Sequence, residues 1–131
     1  MQRLAIALYR GTYVRPHVHS AQWEMLILLR GAADVLFFTP AGELMGRTTL
    51  AQDRVGVIQI PQGQVHGAVA LQDDTAVIEV KPGPYRANEY MNWAPAEGFG
   101  GYRRVPELVG GRRDRHKLAG GGRLEQLQAG R

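Results

Sequence analysis

The chain has 131 residues, 44% of them hydrophobic, a net charge of +4 and no cysteine. That length suits a single domain with a real core, and the absence of cysteine excludes disulfides and thiolate metal ligands. Residues 1–98 carry eight basic and nine acidic side chains, and residues 99–131 carry eight and three, so the basicity sits at the C-terminal end. A near-neutral body gives no electrostatic footprint for nucleic acid. No apolar run reaches the eighteen residues that a membrane-spanning helix requires, and Met1 to Tyr9 is too short for a secretory signal. A cytoplasmic protein is therefore expected.

The elements predicted in chain order are short strands. Arg3 to Tyr9 is the first, ended by Gly11, and Tyr13 to His19 is the second. In that second strand Tyr13, Arg15, His17 and His19 share a face by parity, which directs all four into one cavity. The alternative for Arg15 is an ion pair at the rim. Glu24 lies an odd number of residues beyond His19, so an unbroken strand would turn it away. Ser20-Ala21-Gln22 breaks the strand, and Trp23 to Arg30 restarts it with Glu24 facing back. Apolar residues on both faces of this third strand predict cover on both sides.

Asp34 to Thr39 and Glu43 to Leu50 pair across the Pro40-Ala41-Gly42 turn. Val55 to Ile60 runs into Pro61-Gln62-Gly63, a tight turn that aims the strand Gln64 to Leu71 and its His66. Thr75 to Lys81 is the eighth strand. Pro82-Gly83-Pro84 cannot continue a ladder, because proline lacks the N–H. The segment Arg86 to Gly98 reads as a loop. Its aromatics, with Tyr85, carry two readings: a strap across the outside of the barrel, or Tyr85 or Trp93 closing the cavity mouth. Eight short strands separated by turns predict an all-β double-sheet jelly roll. Residues 1–98 form the domain, and 99–131 form an irregular, flexible, Gly/Arg-rich tail in which His116 is a solvated imidazole.

The candidate chemistry is concentrated between Gly11 and Gly31. Five residues separate Gly11 from His17, four separate His19 from Glu24, and six separate Glu24 from Gly31. With His66 behind its Pro61-Gln62-Gly63 turn, the set His17, His19, Glu24 and His66 offers three imidazoles and one carboxylate. Such donors suit a divalent Fe, Mn, Ni or Zn ion. The two spacings are similar to the two motifs of the cupin superfamily, whose fold is a double-stranded β-helix. The order of Pro16-His17-Val18-His19, Trp23-Glu24, the Ile60 to His66 stretch, Glu79 to Tyr85 and Trp93 to Gly98 resembles WbuC-type cupin-fold metalloproteins over about residues 2–98. The likeness departs at Ala70, where that pattern has asparagine, and at Gly56, which lies one residue nearer its proline.

The resemblance implies a sugar-related small-molecule ligand and a place in bacterial surface polysaccharide metabolism, with a homodimer open. Four protein ligands would leave positions on the metal for substrate or O₂. Three functions stand at this point: sugar isomerisation or epimerisation, Fe-dependent dioxygenation, and non-catalytic sugar sensing. Tyr13, Arg15, Gln59, Glu79 and Lys81 are the candidates around the metal. Glu79 and Lys81 share a strand face and form a base and an anion clamp, or else an outer ion pair.

Overall fold

The computed structural model describes residues 1–97. The residues from 98 onward, including the expected tail and His116, lie outside the described part. Nine strands are present among the described residues: β1 (Gln2–Leu8), β2 (Tyr13–Val18), β3 (Glu24–Arg30), β4 (Ala32–Phe38), β5 (Leu44–Ala51), β6 (Val57–Ile60), β7 (Val65–Ala70), β8 (Thr75–Lys81) and β9 (Glu89–Tyr90). They form two sheets, ordered β1-β8-β3-β6 and β5-β4-β7-β2-β9, with every strand pair antiparallel. This is the expected jelly roll. The eight predicted strands are found within two residues at each end, and β9 adds a short ninth inside the predicted loop. No helix among the described residues is long and apolar enough to cross a membrane.

Register decides which side chains meet between the sheets. On β3 and β8, Leu26 stands opposite Glu79 and Leu28 opposite Val77, and Glu24 pairs with Ile60 of β6. Leu26, Val35, Leu50 and Ile60 form the buried inter-sheet core, with Leu28, Phe37 and Ile58 packed against them. Burying a side chain of this size contributes about 1.5–3 kcal/mol. The other face of the five-stranded sheet carries a second cluster, Tyr13, Leu36, Phe38, Val65 and Val69, covered by Met91 and Trp93. The indole N–H of Trp93 donates to Pro40 O at 2.9 Å, and its ring lies 5.3 Å from that of Phe38.

The outer face of the four-stranded sheet differs from expectation. Met25 and Ile27 are half-buried, and Leu29 is 51% exposed. The apolar residues on that side of β3 are therefore not covered by a layer among the described residues. Only the inner side, with Glu24, Leu26 and Leu28, meets the other sheet.

Candidate metal centre

The site begins with an irregularity in β2. Tyr13 pairs with Val69 and Val14 with Ala68, but the next pairing is His17 with His66. Arg15 and Pro16 thus stand opposite Gly67 alone, which is a β-bulge. Pro16 has no N–H to give the ladder, so it tolerates a bulge position. Gly67 supplies the room: a Cβ there would lie 2.9 Å from Val14 O and 3.2 Å from Pro16 Cγ. One extra residue inverts the parity upstream of it. His17 and His66 face the inter-sheet space, while Tyr13 turns to the opposite face of the sheet.

This corrects the expected alignment of Tyr13 and Arg15 with His17. Tyr13 belongs to the outer cluster, where burial pushes its phenol up to about 12. Arg15 does not line the cavity. Its guanidinium donates to Met91 O at 3.0 Å and lies over the Tyr90 ring, 5.3 Å from the centroid. Its main-chain N–H donates to Glu97 Oε1. Arg15 thus fastens the C-terminal strap. Gln59 is likewise displaced: it pairs with Met25, on the outward side of its sheet, and is exposed.

The four residues singled out by spacing do converge. His17, His19, Glu24 and His66 each offer a ligating atom, and these atoms lie within 4.8 Å of one another. All four residues are at most 5% exposed. The break at Ser20-Ala21-Gln22 restarts the chain so that Glu24 faces inward. Gly63, with φ of 79°, closes the turn before β7, and its N–H donates to His19 O at 2.9 Å. That bond, with Gln62 Nε2 donating to Ser20 O at 2.7 Å, ties the turn of the second motif to the end of the first.

Glu24 Oε2 lies 2.7 Å from His66 Nε2 and 3.3 Å from His19 Nε2. Nδ1 of His17 pairs with Arg15 O at 2.8 Å, and Nδ1 of His66 with Gln64 O at 2.9 Å. With Nδ1 as the donor, each ring presents Nε2 to the cluster, the orientation a metal ligand needs. Burial, reinforced by the neighbouring His66, pushes His17 down to about 4, so its lone pair is free at neutral pH. Burial by itself raises the Glu24 carboxyl, but the polar side chains packed around it, His19, His66 and Glu79, together hold it well below the usual carboxylate range. His19 Nε2 is buried with no well-aligned hydrogen-bond partner, although Glu24 Oε2 lies 3.3 Å away. A buried orphan nitrogen aimed at an ionised carboxylate between two further imidazoles fits a divalent cation.

Glu79 and Lys81 face the same space, so their pair lies inside the barrel and not on its outer surface. They pair with each other, and both line the cavity. Burial raises the Glu79 carboxyl, and the adjacent Glu24 raises it further, against the opposing pull of Lys81. The cavity is about 610 Å³ and also takes in Tyr85, Ala87, Asn88 and Tyr90 of the strap. Gln22 Nε2 donates to Pro82 O and to Pro84 O at 2.8 Å, pinning the start of the strap. β9 pins its end, pairing Tyr90 with His17. The two readings of the strap thus divide: Trp93 packs outside the barrel, and Tyr85, 77% exposed, stands at the cavity mouth. Tyr90 and Gln22 carried no signal as site residues, because their roles arise from pairing between distant segments.

Comparison with known proteins follows the same lines. Residues 1–50 match the model of a domain of unknown function, DUF6016. No match was found among curated proteins. Among solved structures, the rmlC epimerase of Mycobacterium tuberculosis superposes with a TM-score of 0.55 at 21% identity, over 65% of this chain and 46% of that one. The capsular polysaccharide assembling protein CapF of Staphylococcus aureus gives 0.61 at 18% identity, over 69% and 26%. KdgF of Halomonas sp. gives 0.52 at 25% identity, over 64% and 69%. The chain spans about half the length of the epimerases it resembles. With these likenesses, the two antiparallel sheets define a cupin jelly roll.

Proposed function

We propose that this chain is a metal-dependent cupin that acts on a sugar or sugar nucleotide, of the WbuC type and in surface polysaccharide metabolism. The observation that carries the reading is the buried His17, His19, Glu24 and His66 cluster at the wall of a cavity large enough for a small ligand. Structural likeness to proteins described as dTDP-4-dehydrorhamnose 3,5-epimerase and as a capsular polysaccharide assembling protein supports the sugar class. A divalent ion, when bound, supplies Lewis-acid polarisation of a carbonyl or a paired hydroxyl.

Glu79 favours turnover over passive binding. It is a titratable group lining the same cavity that is not needed as a ligand, and burial together with Glu24 raises its carboxyl, the direction that favours holding a proton for transfer. Lys81 orients it and offers a positive charge to an anionic substituent. The testing experiment identifies the metal in purified protein, then screens nucleotide sugars by thermal shift and product analysis. About one equivalent of metal with turnover of a sugar nucleotide supports the reading. Iron with oxygen uptake on a non-sugar substrate refutes it in favour of an oxygenase, and sugar binding without turnover favours a sensor.

A further inference from the structure

The cavity has two unlike ends. One holds the His/Glu cluster with Glu79 and Lys81. The other is walled by aliphatic side chains, Leu4, Ile6 and Leu8 from β1, Val14 from β2 and Val77 from β8. The register explains how this wall arises. Leu4 stands opposite Glu79, Ile6 opposite Val77 and Leu8 opposite Thr75, so these three share the inward face of the sheet with the polar pair. β1 is an edge strand, and at the corresponding edge of the facing sheet stands β9, which has two residues. No strand among the described residues covers the lips of this seam, and Leu4 is 56% exposed although it points inward. From Leu4 to Leu8 the wall runs about 13 Å at the usual strand rise.

We infer that the site takes an amphiphilic ligand, an oxygen-rich head at the His/Glu cluster carrying an aliphatic group that lies along Leu4, Ile6 and Leu8. The inference rests on the proposed metal-dependent sugar site for its head group and specifies that sugar as one bearing an aliphatic substituent. A uniformly hydroxylated ligand would press hydroxyls against this wall without partners, which is unfavourable. An aliphatic group removes apolar surface of both partners from water. Val14 reaches this face only because the Arg15-Pro16 bulge separates its parity from that of His17, so the same irregularity that aims the histidine also builds the apolar lip opposite β1.

The test uses n-alkyl hydroxamates from acetohydroxamate to octanohydroxamate, read by calorimetry on the metal-loaded full chain. Hydroxamates chelate through two oxygens, so the head reports the metal and the chain reports the wall. Affinity is expected to rise about fourfold per methylene, the increment for burying one CH₂. Leu4→Gln and Ile6→Gln should shrink that increment; Leu4 is exposed enough for its variant to fold. Acetohydroxamate binding with no gain along the series, or the same gain in Leu4→Gln as in the wild type, overturns the aliphatic subsite and leaves the metal reading standing. Absence of all hydroxamate binding overturns the metal reading instead. The wall is then tested on metal-free full chain with n-alkanesulfonates of four to eight carbons, whose anion can meet Lys81. Affinity rising with length and reduced in Leu4→Gln supports the subsite, and a flat series overturns it.

Discussion

Replacing Gly67 with alanine tests whether the β2 bulge positions the metal centre. The new Cβ would fall 2.9 Å from Val14 O and 3.2 Å from Pro16 Cγ, against an ordinary contact of 3.4 Å or more. The nearest atoms are backbone and a proline ring, neither of which can swing aside, so β2 must retreat by a few tenths of an ångström. Overpacking of this kind costs about 1–3 kcal/mol. At about 2 kcal/mol the melting temperature of a domain this size falls by roughly 8–16 °C. The strain falls on the residue before His17 and on the neighbour of His66, so metal affinity should drop about 10- to 100-fold, as when the support of a ligand is disturbed. Gly46→Ala is the internal control, because a Cβ there meets nothing within 4 Å. It should melt within about 0.5 kcal/mol of the wild type. Thermal denaturation and competitive metal titration of both variants give the answer. A Gly67→Ala protein that melts and binds metal like the wild type refutes the argument that the bulge sets the site.

Three further outcomes are expected. Purified protein should carry close to one equivalent of divalent metal, and the double variant His17→Ala/His66→Ala should lose it; full occupancy in that variant excludes the site. In metal-free protein, burial holds His17 at about 4 while the unfolded chain takes up the same proton near pH 6.5. Stability should therefore fall as pH drops from about 6.5 to about 4, by up to about 3 kcal/mol. His17→Gln should flatten that window in denaturant titrations at stepped pH, and an unchanged slope speaks against a buried neutral His17. Truncation after Gly98 should leave metal content and melting temperature nearly unchanged, as its Gly/Arg-rich composition implies, and a drop of more than about 5 °C would make residues 99–131 part of the fold.

The strand plan was legible in the sequence because it depends on local features, and the convergence of the four candidate ligands because their spacing resembles a known family's pattern. Period-2 patterning and turn residues mark strands whatever they pack against, and the spacing of His17, His19, Glu24 and His66 records which donors a jelly roll brings together. The break at Ser20-Ala21-Gln22 was enough to predict that Glu24 turns back. Tertiary structure alone decided the rest. Parity holds only along an uninterrupted ladder, and the bulge that sends Tyr13 outward depends on Gly67 in another strand. Gln59 faces out because its partner is Met25, a matter of register between β3 and β6. The choice between an inner and an outer Glu79–Lys81 pair followed from the register that sets Glu79 opposite Leu26, on the face turned to the other sheet. The aliphatic wall of the cavity needed the edge position of β1, opposite the two residues of β9. Which side chains share a surface is set by pairing between segments far apart in the chain, and no local pattern encodes that pairing.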